Sequence, residues 1–265
     1  MTNSDLSVYH PYQVEGLQRV GSTYDGGYVI HMPSLPQIDC LINYGVGYNV
    51  SFEKEFHRLT GKPVYAFDPT LKSFKYIKDE LAAGQWYIGI RHIAKMLLWS
   101  TIIEKKLPSE GITFVEEGLA GTTDGKFKTL AYHIEKYGLQ KAHTFLKIDI
   151  EGAEYNAFKD DSFYSYLDNA VQMIFEFHYL KERLTELMEI MKRLQKTHTL
   201  VHIHANNHGS TFDYKGKTVP EVIEVVFLHN SFVHQPALSS KSYPIADLDQ
   251  PCNRHHADIP IDFFK

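Results

Sequence analysis

The ten residues Phe145-Leu146-Lys147-Ile148-Asp149-Ile150-Glu151-Gly152-Ala153-Glu154 constrain the fold of this chain more than any others. Phe145 to Ile148 is a short apolar run of strand type. It stops on an acid, and Gly152-Ala153 then opens a helical pattern. An acid at the carboxyl end of a buried strand, followed by a small residue, is how an open α/β sheet offers a carboxylate to a ligand. Further strand ends recur along the chain in a consistent order, and together they point to a cofactor cleft.

The rest of the chain supports that reading. Arg19 to Ile30 is expected to form two short strands around Asp25-Gly26-Gly27, whose glycines supply the positive φ of a tight hairpin. Strands are expected at 39–44, 63–67, 112–115, 145–148, 173–177, 200–203 and 222–228. Helices are expected at 52–59, 71–83, 92–106, 129–137 and 180–196, the last with Leu184, Leu187, Met188, Met191 and Leu194 on one stripe. Asn206 to Val219 reads as a polar loop. From His229 onward Pro236, Pro244, Pro251 and Pro260 predict an irregular tail that wraps the domain. Alternating strands and helices predict an α/β fold, a largely parallel sheet with helices on both faces and the ligand across the strands' carboxyl ends.

At 265 residues, one large domain is expected: an extension and hairpin over 1–38, a Rossmann-like core over 39–228 and a tail over 229–265. The hydrophobic fraction of 43% suits a globular core. A net charge of -5 with scattered cations gives no support to nucleic-acid binding. Cys40 and Cys252 show no metal-ligand spacing, and Cys40 in an apolar strand reads as a reduced buried thiol. No secretory signal is visible, and no apolar stretch reaches the ~20 residues of a membrane helix. The expectation is a soluble, cytoplasmic protein, with no sequence signal for its oligomeric state.

Gly45 and Gly47 let the backbone approach a ligand at the mouth of a helix. Asp68 follows Gly45 by 23 residues, close to the spacing of about 20 at which a ribose-binding acid follows a glycine turn. Both a nicotinamide cofactor and S-adenosylmethionine present such a ribose. The third glycine of the dinucleotide fingerprint is replaced in Asn49-Val50-Ser51, which disfavours an NAD(P)-dependent oxidoreductase.

Tyr44-Gly45-Val46-Gly47 to Ser51-Phe52-Glu53, Ala66-Phe67-Asp68-Pro69-Thr70 and the run Leu146 to Glu154 together resemble the FkbM-type S-adenosylmethionine-dependent methyltransferases. Arg19-Val20-Gly21, Asp25-Gly26-Gly27-Tyr28, Asn206-Asn207 and Pro220 to Glu224 look like further signatures of one branch. The resemblance implies a class I methyltransferase sheet of seven strands, the last antiparallel. It implies that Gly45 and Gly47 underlie the amino-acid end of the cofactor and that Asp68 holds its ribose. It also implies that the turn through Glu116, Glu117 and Leu119 passes the adenine, that Asp149 lies beside the methionyl group and that Tyr28 covers the cofactor. Asn49 departs from the acid that related sequences often carry there.

Methyl transfer to a hydroxyl needs alignment and a base. Glu176 and His178 alternate on one strand face, as do His202, His204 and Asn206 on another. His178 is the preferred base because imidazole titrates near neutral pH, with His204 second. Asp149, Glu176, His178 and His204 are also chemically able to gather a divalent metal, but no compact ligand motif supports one. The expected function is O-methylation of a small molecule, with a carbohydrate or nucleotide-activated sugar as substrate class. A catalytically silent cofactor-binding protein is the alternative from another class.

Overall fold

A computed structural model describes residues 5–71 and 93–265. Strands β1 (Leu17–Gly21) and β2 (Gly27–His31) pair antiparallel around the glycine turn. They are followed by β3 (Cys40–Tyr44), β4 (Val64–Phe67), β5 (Ile112–Val115), β6 (Gly118–Leu119), β7 (Phe127–Lys128) and β8 (Thr144–Ile148). The last five are β9 (Ala170–Phe177), β10 (His198–Ala205), β11 (Thr211–Tyr214), β12 (Lys217–Pro220) and β13 (Ile223–His229). Seven strands make one sheet in the order β10-β13-β9-β8-β3-β4-β5. All are parallel except β13, which inserts antiparallel between β9 and β10. This is the class I methyltransferase arrangement.

The chain leaves β3 toward β4 and β5 on one side and returns to β8 and β9 on the other. The β3/β8 pair is therefore the topological switch point, where successive connections diverge and a crevice opens at the strand ends. The strands alternate between two apolar layers because side chains alternate across a sheet. Leu41, Val64, Ala66 and Phe145 face Phe52 and Phe56 of helix α1 (Ser51–Thr60). Ile42, Tyr44, Leu146 and Phe175 face helices α2 (Leu130–Lys136) and α3 (Leu180–Leu194). Leu187, Met191 and Leu194 on the apolar stripe of α3 are fully buried, each worth roughly 1.5–3 kcal/mol of transfer free energy.

Two features differ in detail from the sequence expectation. The stretch expected as a polar loop contains a second hairpin, β11 with β12, around Lys215 and Gly216 at φ 53° and 79°. Two consecutive positive φ values are what a tight hairpin turn with the right twist demands. The helix expected over 92–106 changes to a π turn at Trp99–Ile103 before Glu104–Lys106. The expected helix over 71–83 falls almost wholly outside the described residues. The tail is irregular, and its Phe263 and Phe264 are buried against Tyr9 and His10 near the amino terminus. Among the described residues, no helix is long and apolar enough to cross a membrane.

Candidate active site

Strand register sets Tyr44 opposite Ile148, which brings Gly45 against Asp149. The Asp149 N–H donates to the Tyr44 carbonyl at 3.0 Å, and the Gly45 N–H to the Phe67 carbonyl at 2.9 Å. A Cβ on Gly45 would lie 1.5 Å from the Asp149 carbonyl oxygen, so this glycine answers to the neighbouring strand end. Gly47 differs. A Cβ there would meet nothing within 4 Å, and its backbone borders open space. Its N–H donates to Asp68 Oδ2 at 3.0 Å, while the Thr70 N–H and hydroxyl donate to Oδ1 at 2.8 and 2.6 Å. Asp68 is thus fixed by the very loop it faces.

Gly45, Gly47, Asp68, Asp149 and Tyr28 all line one cavity of about 240 Å³ at this switch point. Glu116, Glu117 and Leu119 do not line it. Glu116 pairs with Lys126, and Glu117 accepts from Lys136 at 2.9 Å and contacts His133 Nε2 at 3.1 Å. Leu119 is buried in the core. Their turn packs beside the Asp68 loop, since a Cβ on Gly118 would lie 2.9 Å from Pro69.

The β1–β2 hairpin lies over the glycine loop. Asn49 Nδ2 donates to the Asp25 carbonyl at 3.0 Å, and the Ser51 hydroxyl donates to the Gly26 carbonyl at 3.2 Å. This gives Asn49 a role that requires no acid: its amide tethers the turn. At the far end of β2, Gln172 Oε1 accepts from the His31 N–H at 2.9 Å while Nε2 donates to the His31 carbonyl at 2.8 Å. Tyr28 consequently reaches the cleft, its hydroxyl 3.2 Å from Asp149 Oδ2.

Sequence reasoning missed the floor of the cleft. Lys147 Nζ lies 3.4 Å from Asp149 Oδ2 and 4.4 Å from the Tyr28 ring centroid. Asn43 Nδ2 donates to Glu53 Oε1. Glu53 Oε2 and Asn43 Oδ1 are buried without a partner among the described residues. Burial raises the Glu53 carboxyl to about 7. The signal was present: Asn43 and Lys147 are polar residues inside apolar strands, and such residues are informative when buried.

At the next strand end, Glu154 Oε1 accepts the Ile150 and Gly152 N–H groups at 3.0 and 3.1 Å and contacts His178 Nδ1 at 3.1 Å. His178 Nε2 faces Glu176 at 3.3 Å and Glu151 at 3.5 Å. Burial alone would lower the imidazole, but the pairing with Glu154 and Glu176 outweighs it and pushes it up to about 11. Its titration near neutral pH does not hold in this setting. Burial, with Asp149 nearby, also raises Glu176. Glu151 stands at φ 56°, a strained region for a non-glycine residue.

The four residues considered for a metal fall into two groups. Donor atoms of Asp149, Glu151 and His178 lie within 4.8 Å of one another, and so do those of His204, Glu224 and Cys252. Glu176 lies between them, touching His178 and opposite Glu224 in the sheet. His204 does not line the cavity at the switch point, and its Nε2 contacts Asp258 Oδ2 at 2.9 Å.

Residues 39–198 match the family described as the methyltransferase FkbM domain. No curated protein matches the chain. Among solved structures, it is similar to precorrin-6Y C5,15-methyltransferase of Geobacter metallireducens at 11% identity, covering 74% of this chain and 85% of that one, with a TM-score of 0.36. The fibrillarin pre-rRNA processing protein of Methanococcus jannaschii aligns at 8% identity over 86% and 75% of the two chains, with a TM-score of 0.37. The C-terminal domain of precorrin-6Y C5,15-methyltransferase of Rhodobacter capsulatus aligns at 12% over 78% and 93%, with a TM-score of 0.33.

Proposed function

The chain belongs to the FkbM methyltransferase family, and on that premise we propose that it methylates a hydroxyl of a small molecule, a carbohydrate or nucleotide-activated sugar. One observation carries this reading: Gly47, Asp68 and Asp149 line a single cavity, and the Glu176–His178 rim adjoins it through Glu151. A carboxylate-rich rim offers many acceptors to the hydroxyls of a sugar.

The residues present suit S-adenosylmethionine. Gly47 leaves room for close backbone approach, and Asp68 presents a pinned carboxylate to ribose hydroxyls. The buried, unpartnered Glu53 Oε2 needs a donor, and the cofactor's ammonium is one. When bound, the sulfonium supplies an activated methyl carbon, whose bond to sulfur breaks as the acceptor oxygen attacks and leaves a neutral thioether.

The protein's part is then to place the acceptor in line and receive its proton. We assign the proton to Glu176, whose burial raises its basicity toward neutral pH. His178, clamped between Glu154 and Glu176, positions that carboxylate and offsets its charge. Tyr28 and Asp25 close the cavity from the hairpin side, and Asp149 would border the cofactor's methionyl group.

Release of S-adenosylhomocysteine across a panel of sugars and nucleotide sugars tests the proposal. Turnover is expected with at least one, and Glu176→Gln should lower kcat by roughly 10²–10⁴ while leaving cofactor affinity intact. Tight cofactor binding with silence toward every hydroxyl acceptor would make the chain a binding protein instead.

A further inference from the structure

Away from the cofactor cavity, three donor atoms from separate parts of the chain meet in a buried cluster. His204 of β10 and Glu224 of β13 are register partners, and Cys252 reaches them from the tail. All three residues are buried, and their donor atoms lie within 4.8 Å of one another. Among the described residues, these atoms are poorly satisfied. His204 Nδ1 makes no hydrogen bond and lies 3.7 Å from Glu224 Oε2. Glu224 Oε1 receives only the Cys252 S–H, at 3.5 Å. A thiol is a weak donor and the His204–Glu224 pair is too long for a hydrogen bond, so the buried carboxylate and imidazole nitrogen are both incompletely satisfied, which is costly.

The other side of the imidazole is held firmly. Its Nε2 contacts Asp258 Oδ1 and Oδ2 at 3.1 and 2.9 Å, which fixes the ring with Nδ1 aimed at Glu224. A carboxylate behind a histidine is the usual means of orienting a ligand and raising its basicity toward a metal.

We propose that His204 Nδ1, the Glu224 carboxylate and the Cys252 thiolate bind a divalent transition-metal ion, zinc by the chemistry of the donor set. Ligands at about 2.0–2.3 Å in tetrahedral array stand roughly 3.3–3.6 Å apart. Cys252 Sγ stands 3.5 Å from Glu224 Oε1 and His204 Nδ1 stands 3.7 Å from Glu224 Oε2, so one carboxylate already holds both partners near that spacing. A nitrogen, an oxygen and a sulfur together suit zinc and disfavour magnesium or calcium, which take oxygen alone. Binding displaces the thiol proton and the His204 Nδ1 proton to solvent, and three protein ligands leave a fourth position for water. The ion would pin the tail to the sheet beside Glu176, which is the register partner of Glu224. It would thereby stiffen the wall next to the proposed acceptor site.

Metal analysis and cobalt substitution of the full chain test this without cofactor or acceptor, so the outcome is independent of the methyl-transfer reading. About one equivalent of zinc per chain is expected. The cobalt-loaded protein should show a thiolate-to-metal charge-transfer band that survives Cys40→Ala and is lost in Cys252→Ala. Asp258→Asn should keep the band while weakening metal affinity roughly 10–100-fold. A folded wild-type chain with no band at saturating cobalt, or a band that follows Cys40, would overturn the proposal.

Discussion

Gly45 and Gly47 stand two residues apart and obey different constraints. The first is squeezed by the Asp149 carbonyl, the second borders open space. Gly45→Ala should therefore cost stability, on the order of 2–4 kcal/mol from backbone strain and overpacking together. Gly47→Ala should cost about 1 kcal/mol of strain alone, and its main effect should be weaker cofactor binding, as a methyl group intrudes on the cleft. Urea unfolding alongside calorimetric titration of S-adenosylhomocysteine separates the two. Full stability in the first variant would show that the strand ends do not touch as described. In the sequence the two glycines look alike. Only the β3/β8 register tells them apart. Asp68 was legible by its spacing, whereas Glu53 and Glu154 were not, because their partners come from other strands and from a loop folded back on itself.

At the scale of elements, the β1–β2 hairpin is both turn and wall. Its Asp25-Gly26-Gly27 signal predicted a hairpin, yet nothing local said where it would lie. The answer came from Asn49, Ser51 and Gln172, which tether it over the glycine loop and onto β9. A Cβ on Gly26 would fall 2.2 Å from Asn49 Nδ2 at a φ of +85°. Gly26→Val is accordingly expected to lift the turn, with a loss of about 1–3 kcal/mol and a clear fall in cofactor affinity. Isothermal calorimetry with an unchanged far-ultraviolet spectrum would register this. Unaltered affinity would remove the hairpin from the site.

Across the whole molecule, stability should depend on pH through two buried histidines. Burial lowers both His133 and His198 to about 4. In the unfolded chain each titrates near 6.5. A base with a depressed folded pKa contributes stability that is complete above the unfolded value and lost as pH falls toward the folded one. The contribution of these two residues to stability should thus fall between pH 6.5 and 4, by a total on the order of a few kcal/mol, against the opposing gain from the raised Glu53 and Glu176 carboxyls. His133→Gln should flatten part of that fall, and an unchanged profile in the variant would exclude it as a contributor. The tail belongs to this scale too. Phe263 is fully buried against Tyr9, so Phe263→Ala should cost roughly 3–5 kcal/mol by chemical denaturation. A neutral result would mean that the tail only decorates the core.

Local patterning settled the seven strands of the main sheet and helices such as Ser51–Thr60 and Leu180–Leu194, that the sheet is mainly parallel and that acids follow several of its strands. Those properties follow from side-chain periodicity and from turn residues, both of which act over a few neighbours. Tertiary structure alone decided that Glu53 lies beneath the glycine loop, that His178 sits among carboxylates and that Cys252 meets His204. Contacts between residues distant in sequence arise from register and chain crossing, and neither leaves a trace in any short window of residues.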